Sequence, residues 1–398
     1  MTIGRTSRAV VSACAFCAAG LLALTPAAAA SRAGTPDPAG TRQAAAQQPS
    51  LLHRPGTQVR PGADTPRVPR VSALSWLVAD AGTGDVLAAH AAHRRLPPAS
   101  TLKTLFALTV LPGLPAGVRH KVEARELLDI GAGSSLVGVS EGTTYRIADL
   151  WHGVFLSSGS DAVHVLAELS GGWRSTAARM QAKARSLGAH DTHVVSPDGY
   201  DTPGQVSSAY DLAVFGRAGL RNADFARYCA LPRTMFPGGR RKPYEIQNTN
   251  RLLTGADGVD RYPGLLGIKN GYTSNAGHTL VAAAERGGRT LVVTVMNPQK
   301  GGAHAVYKET RRLLDWGFTA AGRVEPVGSL ENRGVAPRPG PPAAVPAVPA
   351  VPAVPAAAGA AGAGPSWMEA AAITGAAALG ALAVSFVVRT KVPQPDEG

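Results

Sequence analysis

Cysteine is scarce, with three residues in 398, and two of these, Cys14 and Cys17, lie inside an apolar stretch at the start of the chain. Cys229 is then the one cysteine further along, so a mature chain that has shed that stretch can form no intrachain disulfide. Acidic residues are also short: 27 Asp and Glu stand against 40 Lys and Arg, a formal charge of +13. Such a balance suits an anionic partner, whether a cell-wall polymer, an acidic membrane surface or nucleic acid. Nucleic acid is set aside because the sequence has no basic patch interleaved with aromatics, no zinc-finger spacing and no RNA-binding signature. His90 and His93 lie beside a strand with no carboxylate close by in sequence, so they read as surface residues and no metal is expected. A Gly-x-Ser-x-Gly elbow is missing too, which argues against an α/β-hydrolase with a histidine base.

What is there is enough hydrophobic residue, 45%, to build a sizeable core in one large or two ordinary domains. Residues 1–30 carry Arg5 and Arg8, an apolar run from Ala9 to about Leu24, and small residues up to Ala30, the order of a secretory signal cut near that point. Residues 31–70 are rich in Ala, Pro, Gly, Gln and Arg without apolar periodicity and read as a flexible linker. The folded domain is expected over 71–325. Residues 326–365 form a Pro/Ala-rich stalk in which Val-Pro-Ala repeats from Val345 to Ala356. In the last segment, 366–391, the apolar run Ala370–Val388 is long enough to span a bilayer, and Arg389 and Lys391 after it favour a short cytoplasmic end. The protein is thus expected on the extracytoplasmic face of the cell membrane, held by a single C-terminal transmembrane anchor.

Within 71–325 the alternation in Val71–Asp80, the turn Ala81–Asp85 and the run Val86–Ala89 predict an opening hairpin. A second hairpin is expected where His278–Glu285 and Thr290–Met296 flank Arg286-Gly287-Gly288-Arg289. Helical periodicity runs around Leu102–Leu111, Ala148–Leu156, Ala162–Leu169, Thr176–Leu187, Ala209–Leu220 and Ala303–Trp316. Strands at both ends with helices between them predict an α/β (α+β) domain, an antiparallel sheet flanked by helices.

Pro97-Pro98-Ala99-Ser100-Thr101-Leu102-Lys103 feeds a serine into the start of an apolar helix, and a residue three positions on lies one turn up the same face, which puts Lys103 beside Ser100. A lysine held in a dry pocket loses basicity until it can take a serine proton, and amides at a helix start can stabilise an oxyanion. Alone, Ser-x-x-Lys also fits a capping serine and a surface lysine. Ser157-Ser158-Gly159-Ser160-Asp161-Ala162 stands at the start of a later helix, with Ser160 or Asp161 as its N-cap, and Gly267-Ile268-Lys269-Asn270-Gly271-Tyr272-Thr273 enters a turn before the last hairpin.

In this order and spacing, the three segments resemble the Ser-x-x-Lys, Ser-x-Asn and Lys-Thr-Gly elements of the penicillin-binding protein and serine β-lactamase superfamily. More narrowly, the chain resembles the D-alanyl-D-alanine carboxypeptidases of peptidase family S11, over about Val71 to Phe318. Further support comes from Ala79–Leu87, Ser196-Pro197-Asp198-Gly199-Tyr200, Ser207–Leu212 and Asn248-Thr249-Asn250-Arg251-Leu252-Leu253. The resemblance implies removal of the terminal D-alanine from peptidoglycan stem peptides, with β-lactams as inhibitors and no cofactor. It also implies that Ser100 is the acylated nucleophile, Lys103 its base and Ser158 a proton relay. Ser160, Lys269, Asn270, Gly271 and Tyr272 would contact substrate, with the N–H groups of Ser100 and Tyr272 as the oxyanion hole. Two positions depart from the pattern: Ser160 replaces the asparagine of Ser-x-Asn, and Asn270 replaces the threonine of Lys-Thr-Gly. A serine hydroxyl is shorter than an amide and offers one donor instead of two, so turnover is expected to be reduced. The same change motivates an alternative, a weakly or non-catalytic β-lactam and wall-peptide binder on the same fold. A β-lactamase ranks below both, since no Glu-x-x-Leu-Asn segment is present.

Overall fold

Apolar side chains that alternate between two faces account for the central sheet of this computed structural model, which describes residues 49–239 and 242–331. In the chain's order, β1 (Thr57–Pro61), β2 (Ala73–Asp80) and β3 (Asp85–His90) lead into α1 (Lys103–Val110). A mostly helical half follows: the ribbon β4 (Arg119–Lys121) and β5 (Thr144–Arg146), then α2 (Ile147–Leu156), α3 (Ser160–Leu169), α4 (Trp173–Ser186), α5 (Ala209–Leu220) and α6 (Ala223–Cys229). A second ribbon, β6 (Arg233–Phe236) and β7 (Tyr244–Gln247), and the short α7 (Arg251–Thr254) return the chain to β8 (Leu265–Thr273), β9 (Gly277–Arg286) and β10 (Arg289–Pro298). Helix α8 (Ala305–Ala320) and the short β11 (Val324–Glu325) and β12 (Gly328–Ser329) complete it.

The sheet order is β11-β1-β3-β2-β10-β9-β8, with β12 added to β3, and every pairing is antiparallel. Strand β8 is therefore an edge. Because side chains alternate along a strand, Val281, Ala283 and Val292 enter a core shared with α1, α2, α3 and α5, while Leu280, Ala282 and Val293 enter another roofed by Val306, Leu313 and Trp316 of α8. Both expected hairpins and the expected helices are present, each within a few residues of its predicted span. The antiparallel sheet flanked by helices is the α/β fold read from the sequence.

Both domain boundaries need correction. The linker expected over 31–70 gives way at its C-terminal part to β1, which pairs with β3 and β11, and to Leu52, which is buried beneath Gly328. Composition hides a short strand of this kind because it is held by main-chain hydrogen bonds and shows only weak alternation of its side chains. The other boundary was set at 325, with the stalk starting at 326. The chain after Pro326 still adds β12 to β3 and buries Val327 and Leu330. His93 also differs from its surface reading: the fold brings Asp191 to 2.7 Å from its Nδ1, a partner remote in sequence. Among the described residues no helix is long and apolar enough to cross a membrane. The expected signal, the rest of the stalk and the membrane helix at 366–391 lie outside the described residues.

Candidate active site

Ser100 sits in a single 3₁₀ turn, Ala99–Leu102, that the two prolines deliver directly into α1. The turn is pinned at its start: the Pro98 carbonyl accepts from Thr101 Oγ1 at 2.5 Å and from Thr279 Oγ1 of β9 at 3.0 Å. Lys103, one turn on, donates from Nζ to Ser100 Oγ at 2.9 Å, to the Asp198 carbonyl at 2.7 Å and to Ser160 Oγ at 3.5 Å. Burial lowers its pKa to about 8, against the opposing pull of Asp198 and Asp161. An amine with that pKa is neutral in roughly a tenth of molecules at pH 7, and a neutral amine can accept a proton.

Helices α2 and α3 meet in a tight corner at Ser157–Gly159. Ser158 has φ +59°, and its buried Oγ has no hydrogen-bond partner among the described residues. The N-cap of α3 is Gly159, where Ser160 or Asp161 was expected. Asp161 is instead engaged by the neighbouring loop, its carboxylate accepting from the N–H groups of Val137, Gly138 and Val139 at 3.0, 2.7 and 2.8 Å. The Ala162 N–H of its own helix donates to it as well, at 2.9 Å, and the three loop donors fix that loop against the corner that carries the two serines.

The third wall is β8. Its pairing with β9 shifts register between Leu265 and Gly267, and there the backbone runs through Gly267 at φ +98° and Ile268 at φ +115°. A Cβ on Gly267 would lie 2.1 Å from the Cys229 carbonyl oxygen, so only glycine fits. The bulge turns Lys269 inward, where it is buried and donates to the Asn270 carbonyl at 2.8 Å. Burial, and secondarily the charge of Lys103, push its pKa well down. At Gly271 the strand runs so close to the 3₁₀ turn that a Cβ would stand 2.7 Å from the Ser100 nitrogen. The Asn270 amide is held by Thr249 Oγ1, which donates to Oδ1 at 3.0 Å, and reaches the Tyr307 hydroxyl with Nδ2 at 3.4 Å. The Tyr272 side chain is 63% exposed and packs on His278 with ring centroids 4.5 Å apart.

The three sequence segments thus converge. Ser100, Lys103 and Ser160 form one hydrogen-bonded group, and β8 brings Gly271 against the Ser100 amide. The Ser158 hydroxyl makes no hydrogen bond to that group. Ala99 at φ +50°, beside Ser100, Ser158 itself, and Ile268, beside Lys269, are three non-glycine residues in the left-handed half of backbone space. Such conformations cost about 1–3 kcal/mol each and persist where the surroundings over-determine them. Sequence reading assigns no role to Asp198, Gly199, Thr249 or Tyr307, and gives Asp161 only that of a candidate helix cap. The segments holding Asp198, Gly199 and Thr249 carried part of the resemblance, but a carbonyl that positions a lysine leaves no trace in residue type.

Comparison with known proteins places these features in a family. The profile of the D-alanyl-D-alanine carboxypeptidases, peptidase S11, matches residues 62–300. The D-alanyl-D-alanine carboxypeptidase DacB2 of Mycobacterium tuberculosis is 40% identical over 275 residues, 68% of this chain and 90% of the relative. DacD of Escherichia coli is 32% identical over 265 residues, covering 64% of this chain and 65% of its own length. Among solved structures, a D-alanyl-D-alanine carboxypeptidase of M. tuberculosis superposes with a TM-score of 0.62 at 38% identity, covering 68% of this chain and all of that one. The Streptomyces K15 DD-transpeptidase gives 0.59 at 26% identity over 64% of this chain and all of its own.

Proposed function

This chain belongs to the D-alanyl-D-alanine carboxypeptidases of peptidase family S11, and from that premise we propose that Ser100 carries its acyl-enzyme. The protein is a serine-type D-Ala-D-Ala carboxypeptidase of the penicillin-binding class. The observation that carries the residue assignment is the 2.9 Å contact between Lys103 Nζ and Ser100 Oγ, made by a lysine whose burial brings its pKa to about 8. Neutral Lys103 takes the Ser100 proton as Oγ bonds to the carbonyl carbon of the penultimate D-alanine. The resulting oxyanion lies toward the backbone N–H groups of Ser100 and Tyr272, each such donor being worth roughly 3 kcal/mol in the transition state. The C–N bond then breaks, and the proton passes to the departing D-alanine amine through the Ser158 hydroxyl, whose lack of a partner in the free site leaves it available. Water hydrolyses the ester with Lys103 again as base. Lys269 and Asn270 donate hydrogen bonds to the terminal carboxylate, Ser160 faces the substrate's peptide carbonyl, and a β-lactam enters by the same route and remains on Ser100. Intact-mass measurement after penicillin treatment, together with D-alanine release from a D-Ala-D-Ala peptide, tests this: one adduct and release are expected, and both should vanish in Ser100→Ala.

A weaker enzyme is the second reading, and it rests on Ser160, whose hydroxyl reaches Lys103 only at 3.5 Å where the family pattern has an amide. We further propose that the catalytic domain works outside the cell on peptidoglycan stem peptides, exported by residues 1–30 and tethered by 366–391. The apolar runs at the two ends of the sequence support that placement. Deleting residues 364–398 should then move the protein from the membrane fraction to the soluble one.

A further inference from the structure

Away from the catalytic corner, a groove of about 590 Å³ runs between the start of β2, the end of β10 and the first turns of α8. Arg70, Lys300, Lys308 and Arg312 line it, and the one acidic side chain among the lining residues is Glu309. All four cations are exposed, and none makes an ion pair with a described carboxylate. Glu309 does not offset them by contact, because its carboxylate is committed to the floor: Ser72 N donates to it at 2.6 Å, Ser72 Oγ at 2.7 Å and Ala73 N at 3.1 Å. Ser72 Oγ in turn accepts from the N–H groups of Gln299 and Lys300 at 3.1 and 3.0 Å. One serine and one glutamate therefore staple the β2 start, the β10 end and α8 into a rigid cradle. The N-terminal end of α8, a helix of 16 residues with no side-chain cap, opens at the same place, which adds its partial positive charge to the four side chains.

We propose that this groove is a binding site for the phosphodiester backbone of an anionic wall polymer, separate from the catalytic site. Four unpaired cations on a rigid concave wall exceed what one carboxylate would neutralise, whereas consecutive phosphodiesters bring several charges into a single cavity and accept the forked donors of Arg70 and Arg312. A membrane surface fits less well. Seating among lipid headgroups draws on exposed apolar side chains beside the cations, and among the described residues the exposed large apolar ones, Val118, Leu128, Leu136, Met235, Tyr244 and Tyr272, do not line the groove. The groove shares α8 with the catalytic site through Tyr307, whose hydroxyl touches Asn270, so polymer held there keeps the enzyme against the wall without occupying Ser100.

The test uses the full chain in detergent and a fluorescent glycerol-phosphate oligomer of about eight repeats, read by anisotropy over a series of salt concentrations. Micromolar binding is expected, weakened tenfold or more in Lys308→Gln/Arg312→Gln, with the salt slope reduced by about 2 as two phosphate contacts are lost. Penicillin acylation of Ser100 should be unchanged in that variant, which also reports an intact fold. The proposal fails if the oligomer does not bind at low salt, or if the double variant binds it as tightly as the parent. Equal competition by polyglutamate of the same charge would show a general anion patch and overturn the phosphate assignment. Binding to vesicles of anionic phospholipid but not to the free oligomer would assign the groove to the membrane instead.

Discussion

At the scale of single residues, the pKa of Lys103 makes the chemistry measurable by pH. If its neutral form is the base, penicillin acylation efficiency should fall about tenfold per pH unit below about 8 and level off above it. A flat profile from pH 6 to 10 would remove Lys103 from the proton path. The same burial has a thermodynamic sign. The folded chain holds Lys103 with a pKa below 10.5, so between about 8 and 10.5 the unfolded chain binds more protons and stability rises with pH. Lys103→Met should therefore abolish acylation and yet melt higher at pH 7, with the gain shrinking as pH passes through that window; a lower Tm at pH 7 would show that the ammonium's three hydrogen bonds outweigh its desolvation. Ser160→Asn restores the second donor and the longer reach, and one regained hydrogen bond of about 0.5–1.5 kcal/mol predicts a two- to tenfold rise in kcat/KM on a D-Ala-D-Ala peptide. An unchanged or slower variant with intact fold would mean that the cavity has adapted around serine.

At the scale of elements, the site is held by backbone approaches more than by side chains. Gly199 has φ +82°, and a Cβ there would lie 2.0 Å from the Ala99 carbonyl oxygen. Gly199→Ala is therefore expected to push the 3₁₀ turn away from the segment whose Asp198 carbonyl holds Lys103, cutting acylation at least tenfold while the far side of the sheet is unaffected; normal acylation with a normal Tm would refute this. Asp161→Ala should strand the three N–H groups of Val137, Gly138 and Val139 and cost about 3 kcal/mol, measurable by denaturant unfolding. These elements also show what the sequence made legible. Lys103 could be set beside Ser100 because helical geometry fixes a spacing of three, and the long, nearly continuous apolar runs of β9 and β10, buried on both faces, announce themselves. Asp161 reads from sequence as a cap because a carboxylate at a helix start looks the same whether it bonds only its own helix or also, as here, a loop more than twenty residues earlier.

At the scale of the whole molecule, the boundaries are the least legible part, since β1 and β12 are short strands at the periphery of the sheet, held by main-chain pairing to β3 and, for β1, also to β11. A chain of residues 49–331 should unfold in one cooperative step, and one of residues 71–325, which lacks β1, β12 and Leu52, should melt at least 5 °C lower; equal melting temperatures would return those segments to the linker and stalk. The position of β8 has a wider consequence. A sheet that ends on the strand beside Ser100 leaves a row of backbone donors and acceptors there for an extended peptide, and such an edge is equally open to a strand from a second molecule. Catalysis and colloidal behaviour are then coupled: concentrated, ligand-free protein should self-associate through this edge, and a bound β-lactam or stem peptide should keep it apart.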